Sequence, residues 1–254
     1  MNFLISLFLM IFLPIILGYS FGSIMFSIII AKYCYKVDIT KCSSKNPGTT
    51  NTLRVLGKKA GLSVLFLDVF KIIIPTLIVW SIYTFALKKY FFNVNAKFEF
   101  ANLIYLTCLF GIIGHIFPIW FKFRGGKGVA SSLGFYICLS PFIGILFILM
   151  MLLIVLITKY VSLSSIITTW ICAILTLIPF VNYFYLSNPD LLSINENLAN
   201  YTLNACFIFG ISIIISILVT IKHKSNIIKI KNKEENKLYL IKKIKKEQIK
   251  NSDE

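Results

Sequence analysis

Six apolar stretches, at residues 3–31, 61–87, 100–121, 129–157, 163–186 and 202–221, fill most of this chain. About 20 apolar residues of helix are needed to cross the hydrocarbon core of a bilayer. Inside lipid every backbone N–H and C=O must find its partner within the protein, so runs of this kind can only be helices. The composition agrees: 57% of the 254 residues are hydrophobic and 14% are charged, outside the range of soluble domains. The chain is apolar from Phe3, and its first Lys or Arg is Lys32. A cleaved signal peptide would need a basic start, so the first run is read as the first span.

Charge then decides the number of crossings. The chain has 26 Lys+Arg against 10 Asp+Glu, a net charge of +16. In a soluble protein that excess would suggest nucleic acid. Here it is read as topology charge, and no nucleic-acid partner is expected, because Lys and Arg prefer the cytoplasmic side of a membrane. Seven of them lie in 32–60, three in 122–128 and eleven from Lys222 onward. If 129–157 crosses once, the tail lands opposite 32–60. If it crosses twice, turning near Ser140-Pro141, all three basic segments share the cytoplasm, and only the three lysines of 88–99 stand against the rule. The expectation is therefore an all-α polytopic membrane protein with seven transmembrane helices, N-terminus outside and C-terminus cytoplasmic. The fourth, at about 129–140, is short for a full bilayer unless the membrane edge is indented there.

The chain divides into a seven-helix membrane domain, 1–235, and a basic cytoplasmic tail, 236–254. In the tail Leu238, Ile241, Ile244 and Ile249 fall on one broad helical side amid lysines. That pattern suits an amphipathic helix on an anionic inner leaflet, and equally a solvated tail. The six cysteines (34, 42, 108, 138, 172, 206) show neither a metal-ligand spacing nor a disulfide framework and read as packing residues. Two histidines and no carboxylate cluster argue against a catalytic metal.

Three polar islands fall on the cytoplasmic side of this topology: CSSKNPGTTNTLRVLGKKAG at 42–61, GHIFPIWFKFRGGKGVAS at 114–131 and TIKHKSNIIKIKNKEE at 220–235. In the first, Ser44, Asn46, Thr49, Thr50, Asn51 and Arg54 supply many hydrogen-bonding groups around Pro47-Gly48. Asn51 and Arg54 share a helical face, and the Arg fork suits a phosphate. The same residues also suit an ordinary capped loop. In the second, Gly125, Gly126 and Gly128 let the backbone approach a ligand and can present an anion nest, with Lys127 as the full charge and a helix N-terminus at Val129. A nucleotide P-loop is excluded, because Phe121 and Gly128 stand where that motif needs Gly and Ser/Thr. A tight turn with topology anchors is the plainer alternative, and His115 beside it reads as structural rather than as a general base. In the third, His223 and Asn226 are three apart and share a face at the end of the last span. Asp68 lies within the second span with Lys71 a turn on; an intramembrane carboxylate is expensive, and its expected partner is a cation of the islands. The turn 159–165 either closes the site or only reverses the chain.

The residues of the three islands resemble the three motifs of the bacterial acyl-phosphate:glycerol-3-phosphate acyltransferases, the PlsY family. GYSFGSIMFSIIIAK at 18–32, LFLDVFK at 65–71 and KYVSLSSI at 159–166 are also similar, so the resemblance runs from Gly18 to about Glu235. It implies a seven-span plasma-membrane enzyme that moves an acyl chain from acyl phosphate to the 1-position of sn-glycerol 3-phosphate. The products would be lysophosphatidic acid and phosphate, with no metal or organic cofactor. Mapped by motif, it implies Ser44, Arg54, Lys127, His223 and Asn226 as catalytic residues, with Asn46, Thr50, Asn51, Gly125, Gly126 and Gly128 around the substrate phosphate. The chain departs from the family at Ser43-Ser44-Lys45-Asn46, where Gly-Ser-Gly-Asn is usual, and at Lys222-His223 and Lys233-Glu234-Glu235, where Arg-His and Gly-x-Glu are common. The tail is left with two candidate partners, the lipid surface and a soluble enzyme that delivers acyl phosphate.

Acyl phosphate is a mixed anhydride with a good leaving group, so positioning and charge neutralisation suffice. The resemblance implies that the donor's own phosphate takes the proton from the glycerol hydroxyl. Ser44 as an acylated nucleophile is the alternative, and no base is evident for it. A transporter of an anionic phosphate compound would also suit a basic recess, but it needs polar access from both sides, and no outward island matches. A non-catalytic scaffold would leave the convergence of phosphate-binding residues unexplained.

Overall fold

The computed structural model describes residues 3–87, 100–178 and 198–237, and the regular structure among them is helical. In chain order the helices are α1 (Phe3–Gly22), α2 (Phe26–Cys34), α3 (Thr49–Leu56), α4 (Lys58–Ile82), α5 (Tyr105–Ile116), α6 (Val129–Leu139), α7 (Pro141–Thr158), α8 (Val161–Leu175), α9 (Leu198–Lys222) and α10 (Lys224–Lys231). Among the described residues five segments are long and apolar enough to cross a membrane: Phe8–Cys34, Lys58–Phe85, Asn102–Phe121, Pro141–Thr158 and Leu203–Lys222. The α6 and α8 helices are apolar but shorter. The run 129–157 is broken where the sequence suggests. Ser140 is extended (φ −157°, ψ 123°), and Pro141 takes the first position of α7, where its missing N–H costs nothing.

Close approach through small residues builds the frame. α1 packs along α5. A Cβ at Gly18 would collide with Thr107 O, one at Gly22 with Gly111 O, and one at Gly114 would lie 2.5 Å from Tyr19 O. Lipid gives no hydrophobic drive between helices, so this tight backbone contact is how such a pair holds. α4 packs against α1, α5 and α6, and its Ile72 joins Ile112, Phe135, Tyr136, Ile208 and Ile215 in a buried cluster. α7 and α8 form a hairpin, and α8 also packs on α9. Tyr136 Oη and Ser216 Oγ both donate to Thr169 O, at 3.2 and 3.1 Å, tying α6, α8 and α9 together. The outer sides of the long helices stay apolar, with Phe66, Leu149, Leu153, Ile157 and Ile214 exposed, as a lipid-facing surface requires. The protein is a multi-pass membrane protein.

Asp68 finds its partner on its own helix. Lys71 Nζ lies 2.9 Å from Asp68 Oδ1, with both side chains buried. The expected pairing with a cation of the islands is therefore not made; a partner one turn away satisfies the charge without drawing a surface cation into the bundle. The lysines of 88–99 and the apolar side of the tail helix, Leu238 to Ile249, lie outside the described residues.

Candidate active site

Three short devices bring the islands together. Asp38 Oδ1 caps a single 3-10 turn at Ile39–Lys41, accepting from Thr40 N at 3.1 Å and from Thr40 Oγ1 at 2.6 Å. Asn51, at the start of α3, then gathers the following loop: its Nδ2 donates to Ile39 O at 3.2 Å and to Cys42 O at 3.1 Å, and its Oδ1 accepts from Ser44 N at 3.1 Å. Gly57, at φ +88°, turns the chain from α3 into α4, so that Arg54 and Lys58 sit at one end of the bundle.

The glycine segment is a knitted turn. Phe123 N donates to Pro118 O at 2.9 Å and Arg124 N to Phe121 O at 3.1 Å. Gly126 N donates to His115 O at 3.1 Å, so its amide is spent on the protein and not free for an anion. Gly125 and Gly126 are small for a different reason than an anion nest. A Cβ on either would strike His115, and at Gly126 it would also lie 2.9 Å from Pro47 O. The glycines let the second island lie against the first. Gly128, at φ +86°, launches α6.

A cavity of about 340 Å³ results, lined by both polar and apolar side chains. Its polar wall contains Ser44, Asn46, Thr50, Asn51, Arg54, Lys127, Gly128, His223 and Asn226. The structure thus brings these sequence-derived site residues to one place, while Gly125 and Gly126 lie behind the wall. Its apolar wall is built by Leu65, Leu133, Phe147, Ile148, Met151, Leu152 and Val161 from α4, α6, α7 and the start of α8.

Lys127 Nζ donates to Asn226 Oδ1 at 2.6 Å. Asn226 Nδ2 donates in turn to Glu235 Oε1 at 2.7 Å, and Ser162 Oγ donates to the same oxygen at 2.8 Å. Glu235 and Ser162 were not singled out as site residues in the sequence. Ser162 lies in the polar stretch 159–165, in the first turn of α8, and the structure places it in the site. Glu235 falls on the Glu of the Gly-x-Glu ending that the resemblance gives, and Glu234 on its variable position, a signal that could have marked Glu235. The chain turns back after α10 through Lys233 (φ 63°), with Glu234 N and Glu235 N both donating to Lys229 O, and this brings Glu235 over the cavity. Thr49, whose buried Oγ1 has no hydrogen-bond partner among the described residues, also borders the cavity.

Burial pushes the Lys127 ammonium down to about 8, and the charges of Arg54 and Lys229 push the same way, while Glu235 opposes them. His223 is lowered to about 4 by burial first and by the Lys127 charge second, so it is neutral at pH 7. Its Nδ1 lies 2.8 Å from Val219 O, which fixes the proton on Nδ1 and leaves Nε2 as a bare acceptor. His223 breaks the helix between α9 and α10, so it reaches the cavity with Asn226 from the junction rather than from one continuous face.

The family pattern described as glycerol-3-phosphate acyltransferase matches residues 12–233. A glycerol-3-phosphate acyltransferase of Ureaplasma urealyticum serovar 10 is 41% identical over 223 residues, 88% of this chain and 88% of its own. One of Mycoplasma pneumoniae is 37% identical, covering 94% of this chain and 98% of its own. Among solved structures, PlsY, an integral membrane glycerol 3-phosphate acyltransferase, is similar in its glycerol 3-phosphate form at a TM-score of 0.67 and 31% identity, over 92% of this chain and 96% of that one. Its lysophosphatidic acid form aligns at 0.65 with 30% identity. On the match across most of its length, this chain belongs to the glycerol-3-phosphate acyltransferase family, a family of membrane enzymes of phospholipid synthesis.

Proposed function

We propose that the protein transfers an acyl chain from acyl phosphate to the 1-position of sn-glycerol 3-phosphate, releasing phosphate and forming lysophosphatidic acid. The observation that carries this reading is the double character of the cavity. A cationic wall with Arg54 and Lys127 meets an apolar wall from Leu65 to Val161, which suits a donor that is a phosphate at one end and a hydrocarbon chain at the other.

The reaction needs no covalent help from the protein. A glycerol hydroxyl oxygen adds to the acyl carbon, the bond from that carbon to the phosphate oxygen breaks, and the departing phosphate accepts the hydroxyl proton. Lys127 and Arg54 hold the phosphate charge that grows on the leaving group. Asn226, kept in place by Glu235, holds the Lys127 ammonium. The neutral His223 accepts a hydrogen bond from a glycerol hydroxyl at Nε2 and so orients it. Ser44 serves as a binding hydroxyl, since no basic side chain hydrogen-bonds to its Oγ among the described residues. Asn46, Thr50 and Gly128 surround the substrate phosphate, Gly125 and Gly126 let the turn pack behind them, and Asn51 shapes the loop that presents Ser44.

We further propose seven crossings with the N-terminus outside, the C-terminus cytoplasmic and the site on the cytoplasmic side. The α6 and α8 helices would be the two short crossings, and the three basic segments then lie together. The tail 236–254 forms a basic cytoplasmic extension. The reading is tested by turnover of purified protein with acyl phosphate and glycerol 3-phosphate alone, as set out at the end of the Discussion.

A further inference from the structure

His115 is the penultimate residue of α5, has 3% of its surface exposed and borders the cavity. Its Nδ1 lies 2.8 Å from Lys71 Nζ. The same ammonium lies 2.9 Å from Asp68 Oδ1 and donates to Ile24 O at 2.7 Å. An ammonium has three donors and no acceptor. Nδ1 must therefore be the unprotonated nitrogen, and the neutral ring carries its proton on Nε2. The opposite arrangement, a neutral amine accepting from Nδ1–H, would take from the buried Asp68 carboxylate the ammonium 2.9 Å away and leave it only the Nδ1 atom at 3.7 Å, beyond hydrogen-bond reach.

Nε2–H then faces Gly126, where any Cβ would collide with it. It meets no acceptor among the described residues. A donor at the rim of a cavity, on a side chain otherwise enclosed by protein, is best answered by an acceptor that enters that cavity. The two histidines of the chain thus border one cavity with opposite hydrogen-bonding character. His223 presents a bare Nε2 and His115 presents Nε2–H.

We propose that His115 is a substrate-binding residue whose Nε2–H donates to an anionic phosphate oxygen held beside the glycine turn, with Lys71 and Asp68 as positioning residues that fix the donor tautomer. The inference rests on the acyl-transfer reading of the cavity. The phosphate could belong to glycerol 3-phosphate or to the acyl phosphate, and the test separates them.

The chain has only two histidines, so protein labelled with ¹⁵N-histidine in lipid nanodiscs gives a simple long-range ¹H–¹⁵N spectrum. At pH 7 one ring should be the Nε2–H tautomer and the other the Nδ1–H tautomer, with His115→Asn assigning the first. Glycerol 3-phosphate, palmitoyl phosphate and inorganic phosphate are added in separate arms. The arm that moves the His115 Nε2–H proton downfield names the ligand. In turnover, His115→Asn keeps an acceptor for Lys71 and loses the cavity donor. The KM of that ligand should rise about 10- to 100-fold, the range for a hydrogen bond to a charged group. His115→Gln, which keeps an N–H near the Nε2 position, should recover most of that loss. A His115 that is Nδ1–H or cationic, or an Nε2–H indifferent to all three ligands while the unmodified protein turns over, would overturn the proposal. If phosphate moves the signal but no lysophosphatidic acid forms from acyl phosphate, the binding role stands and the acyl-phosphate reading falls.

Discussion

Lys127 and Asn226, 99 positions apart, are joined by a 2.6 Å hydrogen bond that ties the glycine turn to the first turn of α10. Through Asn226 the ammonium is linked to Glu235 and Ser162, so four segments of the chain converge on one cation. An ammonium held this way is already aimed when a phosphate arrives, which is the preorganisation that charge-stabilised transfer depends on.

Lys127→Ala and Arg54→Ala should each lower kcat/KM by at least about 10³-fold, beyond the 10²–10³ typical of one positioned donor because each also supplies a full charge. The assay is lysophosphatidic acid formation, with unchanged elution on size exclusion as the control for folding. Rates near those of the unmodified protein would remove both residues from the site.

The pH profile follows from the same ammonium. Lys127 is charged below about 8 and neutral above it, so the catalytically useful form is lost as pH rises. kcat/KM should fall through an alkaline limb near pH 8. His223, lowered to about 4, stays neutral from pH 5 upward, so no limb near 6.5 should come from it. Glu235→Gln removes the charge that holds the Lys127 value up, and the alkaline limb should move to lower pH. A profile flat to pH 9.5 would contradict the assignment.

The sequence showed the three islands because their chemistry is local. Spacing places Arg54 with Asn51, proline chemistry places the break at Ser140-Pro141, and an apolar run interrupted by GGKG is unusual wherever it occurs. What it could not show depends on contacts between distant segments. Glu235 matches the Glu of a Gly-x-Glu ending, but its contacts with Asn226 and Ser162 exist only once the turn after α10 is formed. Gly126 reads as an anion nest until its N–H is seen on His115 O. Asp68 reads as seeking a surface cation until the two members of its own helix are seen buried together.

Gly126→Ala tests the packing role directly. Its Cβ would meet the His115 ring, held by Lys71, and the backbone oxygen of Pro47. Activity should fall at least about 100-fold, comparable to removing one positioned donor, with a lowered thermal midpoint in detergent. Gly48→Ala, whose Cβ would meet only the end of the Asn46 side chain at 3.3 Å, should be far milder. Equal effects at the two positions would count against the close-packing account.

The apolar wall should set chain length. Met151 borders the cavity from α7. Met151→Trp narrows the groove, and the ratio of turnover with decanoyl phosphate to turnover with palmitoyl phosphate should rise at least about threefold, given that one misfit methylene is worth roughly 1–3 kcal/mol. An unchanged ratio in an active variant would place the acyl chain elsewhere.

Purified protein in lipid is given palmitoyl phosphate and sn-glycerol 3-phosphate, with no metal, coenzyme A or carrier protein, and phosphate release and lysophosphatidic acid are measured together. The account expects both products in equal amounts and their loss in Lys127→Ala. No product from acyl phosphate, with glycerol 3-phosphate instead carried across sealed vesicles, would contradict it.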